Sequence, residues 1–365
     1  MAVSTHMQRA LALAHKARHQ TSPNPMVGAV LVRHGKVVGE GYHKRAGGPH
    51  AEIAALKRAG ESARGATLYV TLEPCAHQGR TGPCTEALLA AGVSTVVAAL
   101  VDPDPRVSGE GLARLKAGGV EVEVGDGAAE AEAINQRWLE ARRRHRPFVA
   151  LKYAATLDGK IASTTGDSRW VTGDLARRQT HLLREAYEAI AVGAGTVIAD
   201  DPELTARSRA GRHFRRQPVR IVIDGKLRVS PVSRMLDPRL PGRALVATTE
   251  SAARRRGKQF ESVGVELRAF PGSDRIEVGD LLEFLAAEGI NSLLVEGGGD
   301  LAWSFLASGA VDRAYAFFAP RLLGGGKAHS PVDGAGFPTL AAAAQMRFVN
   351  TRALGDDVLL EAVAG

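Results

Sequence analysis

Residues 49–84 read PHAEIAALKRAGESARGATLYVTLEPCAHQGRTGPC. This stretch contains His50 and the chain's two cysteines, Cys75 and Cys84. One imidazole and two thiolates form a three-ligand set for Zn²⁺, which leaves the fourth tetrahedral position open to water. The composition of this stretch therefore predicts a zinc site of the catalytic kind, around which the first part of the chain is folded.

A glutamate close to His50 is the predicted catalytic residue of this site. Glu52 follows the histidine by two positions and can take a proton from the water and return it later. Residues 51–59 and 85–91 both read as helices, because each is an apolar-patterned run that is closed by glycine. His50 and Cys84 are then expected at helix N-termini, where the positive end of the helix dipole favours a thiolate.

The two cysteines also allow simpler interpretations. They could be buried free thiols, a chance pair or a disulfide, although a disulfide is disfavoured in a chain without a secretion signal. Eight residues separate Cys75 from Cys84, whereas the common signature of the zinc deaminases is P-C-x-x-C. The H-x-E and P-C patterns nevertheless favour a catalytic zinc site of the deaminase type.

Length and composition predict two domains and an anionic small ligand. A chain of 365 residues exceeds one ordinary domain. The net charge of +8 suits either nucleic acid or an anionic substrate and cofactor, but aromatic residues make up only 5%, which argues against a base-stacking platform. We expect a cytoplasmic homo-oligomer with no nucleic-acid partner and no membrane association, since neither a signal peptide nor a membrane-spanning apolar run is recognisable.

A basic run that ends in proline, RRRHRP at residues 142–147, predicts the boundary between domains 1–145 and 146–365. Strand and helix patterns alternate in the first domain, which predicts a three-layer α/β sandwich. They alternate in the second domain too. Its closing strands, predicted at 346–352 and 358–362, favour an antiparallel end.

A glycine run in the second domain is a candidate phosphate-binding turn. No G-x-G-x-x-G motif follows the first strand of either domain. Gly297-Gly298-Gly299 follows a predicted strand and opens a predicted helix, where backbone N–H groups could approach a phosphate. On the local sequence alone, a tight strand-to-helix turn is the simpler interpretation.

Several segments resemble the bifunctional deaminase and reductase family of riboflavin biosynthesis. They are SPNP at 22–25, GYH at 41–43, TLEPCAHQGRTGPC at 71–84, LKYAATLDG at 151–159, ADDPELT at 199–205, VID at 222–224, VEGG at 295–298 and APRLLG at 319–324. The likeness covers nearly the whole chain. It implies a cytidine-deaminase-like N-terminal sandwich that binds zinc and a C-terminal dihydrofolate-reductase-like domain that uses NADPH.

The resemblance also implies individual site residues. At the pyrimidine pocket of the deaminase it places Asn24 and His43, and a basic side chain of the loop between the cysteines, His77 or Arg80, could meet the phosphate of the phosphorylated aminopyrimidine. At the reductase substrate it places Ser168, Arg184, Leu204, Arg207 and Glu296. At NADPH it places Ala154, Trp170, Thr196, Asp200, Gly298 and Gly299.

Lys152 and Asp200 match family positions implicated in activity. Lys152 and Glu296 are expected to position and protonate the group that receives the hydride. These candidate residues also have plainer interpretations. Asn24 could cap a turn, His43 could be a surface histidine, and the lysine and arginines could be solvated charges. Gly225 departs from the family, which often has serine there, so that a hydroxyl contact to the cofactor is lost or moved.

The expected function is bifunctional. The first domain would deaminate 2,5-diamino-6-(5-phosphoribosylamino)pyrimidin-4-one with zinc, and the second would reduce the ribosyl chain with NADPH to give 5-amino-6-(5-phosphoribitylamino)uracil. One alternative is a zinc deaminase that acts on a base in RNA and carries a non-catalytic second domain. Another is an inactive protein with structural zinc, which an intact Glu52 and a three-ligand set argue against, because structural sites usually have four ligands.

Overall fold

The structure is a computed structural model that describes residues 2–18, 20–77, 82–104 and 107–365. The chain divides into two units, Met1–His145 and Arg146–Gly365. Each unit has its own sheet and its own hydrophobic core. Among the described residues, no helix has both the length and the apolar character needed to cross a bilayer.

The first unit is built on a five-stranded mixed sheet. Its strands are β1 (Gly28–Arg33), β2 (Lys36–Tyr42), β3 (Thr67–Val70), β4 (Thr95–Ala98) and β5 (Glu121–Val124). Its helices are α1 (Thr5–His15), α2 (Ala51–Ala59), α3 (Cys84–Ala90), α4 (Glu110–Ala117) and α5 (Ala128–Arg144), with a 3₁₀ turn at Gly60–Ala63. The strand order is β2-β1-β3-β4-β5, and only the pairs β2–β1 and β1–β3 are antiparallel.

Helices cover both faces of this sheet. Ala55, Leu88 and Leu115 belong to the buried cluster that joins α2, α3 and α4 to one face. Met7 and Ala131 belong to the cluster that joins α1 and α5 to the other face. Alternate residues of each strand point to opposite faces, and β1, β3 and β4 contribute residues from both faces to these two clusters. The predicted three-layer sandwich is confirmed.

The second unit is built on a nine-stranded sheet. Its strands are β6 (Phe148–Thr156), β7 (Ala189–Gly193), β8 (Val219–Ile223), β9 (Ala244–Thr249), β10 (Glu266–Phe270), β11 (Ser292–Glu296), β12 (Arg313–Ala319), β13 (Met346–Leu354) and β14 (Asp357–Ala364). Its helices are α6 (Asp174–Ala186), α7 (Ala194–Asp200), α8 (Glu250–Arg256), α9 (Lys258–Glu261), α10 (Val278–Ala287) and α11 (Gly299–Ala307), with 3₁₀ turns at Arg234–Leu236 and Leu340–Ala342.

The strand order of the second unit is β10-β9-β8-β7-β11-β6-β12-β14-β13. The strands from β10 to β12 are parallel to their neighbours, and β14 and β13 close the sheet in antiparallel fashion, as the sequence predicts. In parallel α/β sheets, ligands bind beyond the carboxyl ends of the strands. Glu296 is the last residue of β11, and its register partner on β6 is Lys152.

The sequence does not predict α7, although Thr196 and Asp200 lie on it. The helix starts after Gly193 and contains a second glycine in its first turn, and glycine is a poor helix former. It forms nevertheless because Ala194 and Val197 are buried in the core of the second unit. Tertiary packing therefore overrides the local preference of this segment.

Candidate active sites

The three predicted metal ligands converge in the first unit. His50 is the N-cap of α2 and Cys84 is the first residue of α3, so both lie at helix N-termini as predicted. His50 Nδ1 lies 3.3 Å from Cys84 Sγ and 3.5 Å from Cys75 Sγ, and all three ligand atoms lie within 4.8 Å of one another. A tetrahedral zinc ion, with bonds of about 2.0–2.1 Å to nitrogen and about 2.3 Å to sulfur, requires N–S separations of about 3.5 Å. The donor set therefore fits Zn²⁺.

The sulfur of Cys75 is held in the form that binds metals. A hydrogen bond from the Cys84 thiol is the main cause that lowers the pKa of Cys75, and His50 lowers it further, against the opposing effect of burial. The backbone N–H of Cys84 also donates to Cys75 Sγ over 3.5 Å. A bound dication favours the thiolate form of both cysteines, because metal binding displaces their protons.

Glu52 lies beside the ligand atoms in the first turn of α2. It is 3% exposed, and burial raises the pKa of its carboxyl to about 7, while its own backbone N–H and His50 act in the opposite direction. A carboxyl group with a pKa near neutrality both accepts and donates a proton readily at physiological pH. This environment suits the proton-carrying role that the sequence predicts for Glu52.

Asn24 and His43 contact each other next to the ligand atoms. The His43 ring is buried, its Nδ1 lies 3.0 Å from Pro49 O, and its Nε2 lies 3.1 Å from Asn24 Nδ2. A carbonyl oxygen only accepts, so Nδ1 carries the proton and Nε2 accepts from the Asn24 amide. Burial lowers the pKa of His43, which favours this neutral ring. The carboxamide of Asn24 is thereby oriented, with Oδ1 as the end that His43 does not use.

The predicted phosphate contacts of the deaminase lie in the loop between the two cysteines. His77 is exposed to solvent. Arg80 lies outside the described residues. The contact of either side chain with a substrate phosphate stays a prediction.

In the second unit, Lys152, Glu296 and Arg184 form a buried ionic cluster. Arg184 donates through Nε and Nη2 to the two Glu296 carboxylate oxygens, each over 2.9 Å, and Lys152 Nζ lies 3.9 Å from Glu296 Oε2. Burial opposes ionisation of Glu296, but the two cations outweigh it and lower its pKa. Burial, aided by Arg184, lowers the pKa of Lys152 against the attraction of Glu296. An ammonium of lowered pKa is a better proton donor than an ordinary lysine.

The two arginines predicted at the reductase substrate, whose guanidinium groups could hold its phosphate, already donate hydrogen bonds within the protein. Two of the Arg184 donors are used by Glu296. Arg207 Nη1 donates to a Glu203 carboxylate oxygen. A phosphate would therefore accept hydrogen bonds from the remaining N–H groups of these guanidinium ions, since part of each group is already used within the protein.

His181 lies beside these arginines, and it was not predicted from the sequence. Its Nδ1 lies 3.1 Å from Thr205 O, and burial, together with Arg184 and Arg207, lowers its pKa to about 4. Arg177, His181 and Arg184 are spaced i, i+4 and i+7 along α6, which puts them on one helix face. This spacing of basic side chains along one helix face is the sequence pattern from which His181 could have been predicted.

The residues predicted for the reductase substrate and for NADPH line one cleft of about 1800 Å³. They are Lys152, Ala154, Ser168, Trp170, Arg184, Thr196, Asp200, Leu204, Arg207, Glu296, Gly298 and Gly299. Gly298 is the N-cap of α11 with φ +85°, and a side chain there would stand 3.3 Å from Thr196 Oγ1. The glycine turn and α7 therefore meet closely at the N-terminus of a helix, which is a favourable position for a phosphate.

Ser168, Trp170 and Asp200 lie together on another wall of the cleft. Ser168 Oγ donates to Asp200 Oδ1 over 3.2 Å. The indole of Trp170 is 62% exposed, and the Arg177 guanidinium lies 4.7 Å from the centre of its ring. The exposed indole offers a flat surface against which an aromatic ring system can stack.

Both units match models of known protein families. Residues 2–100 match the cytidine and deoxycytidylate deaminase zinc-binding region. Residues 147–360, more than half of the chain, match the RibD C-terminal domain. The chain belongs to the RibD family.

The similarity to RibD proteins extends over nearly the full length of the chain. It is 43% identical over 367 residues to the riboflavin biosynthesis protein RibD of Escherichia coli (strain K12), with 98% of each chain covered. It is 40% identical over 355 residues to RibD of Aquifex aeolicus (strain VF5), with 97% of this chain and 96% of the relative covered.

Solved structures show the same relationship. A RibD structure from Acinetobacter baumannii superposes with a TM-score of 0.88 at 37% identity and covers 99% of this chain and 98% of the other. The Thermotoga maritima diaminohydroxyphosphoribosylaminopyrimidine deaminase/5-amino-6-(5-phosphoribosylamino)uracil reductase superposes with a TM-score of 0.81 at 36% identity and the same coverage.

Membership of the RibD family makes the protein a bifunctional deaminase and reductase of riboflavin biosynthesis, with a zinc-dependent deaminase domain and an NADPH-dependent reductase domain. The predicted family, fold class, enzyme classes and two cofactors are confirmed. The roles of individual residues stay predictions.

Gly225, where the family resemblance leads us to expect a serine, lies at the rim of the cleft. A Cβ at this position would lie 2.2 Å from Asp274 O and 3.2 Å from Arg275 Cα. A serine therefore cannot replace Gly225 while the 274–275 backbone stays in place. The two loops approach each other closely here, and Lys226 Nζ lies 3.2 Å from an Asp274 carboxylate oxygen. The loss of a hydroxyl contact to the cofactor stays a prediction.

Proposed function

We propose that the first unit hydrolytically deaminates 2,5-diamino-6-(5-phosphoribosylamino)pyrimidin-4-one, with His50, Cys75 and Cys84 as metal ligands and Glu52 as proton carrier. The convergence of these four side chains is the observation that carries the proposal. Zinc, when bound, lowers the pKa of a water molecule in the fourth position. Glu52 accepts a proton at its carboxylate and later donates one to the leaving nitrogen, which departs as ammonia.

Asn24 and His43 have different roles in this proposal. Asn24 Oδ1 accepts a hydrogen bond from an amino group of the pyrimidine. His43 keeps the carboxamide in that orientation, because its Nε2 accepts from Asn24 Nδ2 over 3.1 Å. His43 is then a positioning residue rather than a substrate contact.

The second unit reduces the ribosyl chain of the deaminated product. NADPH, when bound, supplies a hydride. The opened ribosylamine has a C=N bond, whose carbon receives the hydride while Lys152 gives a proton to the nitrogen, so that the imine becomes an amine. Glu296 holds the Lys152 ammonium in place, and the two hydrogen bonds from Arg184 fix Glu296 in turn. Product analysis with this substrate, in the absence and presence of NADPH, tests both half-reactions.

Replacing Arg207 with alanine should raise the reductase KM for the phosphorylated substrate by about tenfold to a hundredfold, the effect of one charge-assisted hydrogen bond. The measurement is the steady-state rate of NADPH oxidation with the deaminated substrate. The same substitution should leave the KM of the dephosphorylated substrate unchanged.

The matched control for Arg207 is Arg254, which lies on α8 outside the cleft and has a side chain that is 73% exposed. Arg254→Ala should have no effect on either KM. An unchanged KM in Arg207→Ala would remove Arg207 from the phosphate site.

We also propose that the first domain ends at residue 145 and the second begins at residue 146. We further propose that the enzyme is a homo-oligomer of the cytoplasm. Its substrates are small molecules rather than nucleic acid. Free cysteines, both used as thiolates, suit a reducing compartment. Phe348 on the edge strand β13 is 66% exposed, and an exposed apolar side chain at a sheet edge favours association between copies.

A further inference from the structure

Glu73 is a buried carboxylate that the chemistry above does not use. It lies two residues before Cys75 and is 5% exposed. Its Oε2 accepts from the backbone N–H groups of Asp102 and Gly109, each over 3.0 Å. Its Oε1 accepts from those of Gly111 over 2.8 Å and Leu112 over 3.3 Å.

Each oxygen of Glu73 therefore accepts two hydrogen bonds from backbone N–H groups. A carboxylate accepts about four hydrogen bonds in total, so neither oxygen is left for a metal ion or for proton transfer. Gly109 is the N-cap of α4 and has no side chain of its own to cap the helix. Glu73 therefore caps α4 from another part of the chain, and its negative charge faces the positive end of the helix dipole.

The backbone next to Glu73 also presses against α4. A Cβ on Gly111 would lie 1.9 Å from Pro74 O, a distance that no side chain could tolerate. Glycine at this position thus allows the carbonyl group before Cys75 to touch the first turn of the helix. The Glu73 hydrogen bonds and this contact together fix the segment on the N-terminal side of Cys75.

The other side of Cys75 is fixed by α3. Thr85 N–H donates to Cys75 O over 3.2 Å, and Cys84 N–H donates to Cys75 Sγ over 3.5 Å. Cys75 lies in a short irregular segment after β3, so its sulfur has no regular element of its own to place it. The position of the sulfur relative to His50 consequently depends on what anchors the segment at its two ends.

We propose that Glu73 is a positioning residue of the deaminase site, whose charged carboxylate holds the Cys75 thiolate at metal-binding distance through the N-terminus of α4. This inference rests on the proposed role of Cys75 as a zinc ligand. Glutamine has the size of glutamate, but its NH₂ group would face two backbone donors that then lack an acceptor. The segment should move away from α4, and Cys75 Sγ should move with it.

The test is the zinc affinity of the full-length enzyme, measured by competition with a chromophoric chelator. Glu73→Gln should weaken zinc binding by about tenfold to a hundredfold, the usual effect of losing a group that orients a ligand. The thiolate-to-metal absorption of the Co²⁺-substituted enzyme should shift as well. Gly111→Ala keeps Glu73 but inserts a methyl group against Pro74 O, so it should weaken zinc binding in the same way.

Two controls separate positioning from a general loss of folding. Glu110→Gln removes an exposed carboxylate from the first turn of the same helix and should leave zinc affinity unchanged. The reductase rate of every variant, measured with supplied deaminated substrate, should equal that of the wild type.

Wild-type zinc affinity and an unchanged Co²⁺ spectrum in Glu73→Gln would overturn the inference, even if the melting temperature fell, because Glu73 would then only cap a helix. If Glu73→Gln does not fold, wild-type zinc affinity and an unchanged Co²⁺ spectrum in Gly111→Ala would overturn it equally. If the wild type bound zinc but did not deaminate the substrate, the proposed function would be wrong. The zinc affinities of wild type and variants would still show whether Glu73 positions Cys75.

Discussion

Replacing Glu52 with glutamine is expected to abolish deamination while zinc stays bound. Glutamine fills the same buried volume but neither accepts nor donates a proton at neutral pH. Loss of a positioned acid–base group lowers a rate by about 10²–10⁴-fold. The three ligands His50, Cys75 and Cys84 are unaltered, so the metal content should equal that of the wild type. Ammonia release and bound zinc, measured on the same sample, check the prediction.

The matched control for this substitution is Glu61→Gln. Glu61 is an exposed carboxylate in the turn after α2, so its loss should change neither ammonia release nor zinc content. NADPH oxidation with supplied deaminated substrate should be normal in both variants. Turnover near the wild-type rate in Glu52→Gln would show that another group carries the proton.

Replacing Lys152 with methionine is expected to stop the reductase reaction while the fold is retained. The substitution removes the proton donor and lowers the rate by about 10²–10⁴-fold. Glu296 keeps its two 2.9 Å hydrogen bonds from Arg184, so that no buried charge is left without a partner. NADPH binding, followed by fluorescence, should be close to that of the wild type, and ammonia release should be normal.

The pH dependence of the reductase provides a second signature of Lys152. Burial lowers the pKa of this lysine, with Arg184 in the same direction and Glu296 opposing. The protonated form is the donor and exists below the pKa, so kcat should fall as the pH rises through a value below that of an ordinary lysine. Lys152→Arg should lose most of the rate, and the residual rate should show no such alkaline limb, because a guanidinium remains charged and does not release its proton.

Lys258→Met is the control for Lys152→Met, because Lys258 is exposed on α9 and lies outside the cleft. It should leave kcat and its pH profile unchanged. A normal reductase rate in Lys152→Met, or an alkaline limb that persists in Lys152→Arg, would contradict the assignment of Lys152 as proton donor.

The helix starts that carry two of the candidate zinc ligands could be predicted from sequence, because the start of a helix is a local feature. His50 and Cys84 each lie at a helix start, and helix starts are marked by nearby residues. Gly298 could be placed for the same reason, since a glycine turn between a strand and a helix is a local pattern.

Contacts between distant parts of the chain could not be predicted in the same way. Glu73 receives hydrogen bonds from residues 29 to 39 positions later, and no local pattern marks such partners. Arg220 of β8 is 1% exposed and donates to backbone carbonyls of the following loop, including Met235 O at 3.0 Å, although arginine is normally a surface residue. Both side chains owe their positions to loops that the alternation of strands and helices does not specify.

In the proposed function, one substrate is first deaminated in the first unit, and its product is then reduced in the second. The decisive measurement incubates purified enzyme with 2,5-diamino-6-(5-phosphoribosylamino)pyrimidin-4-one, without and then with NADPH, and follows products by mass and NADPH by absorbance. We predict ammonia release without NADPH, followed by NADPH oxidation once it is added. No ammonia from a zinc-loaded sample would contradict the substrate assignment, and deamination without NADPH oxidation would contradict the role of the second unit.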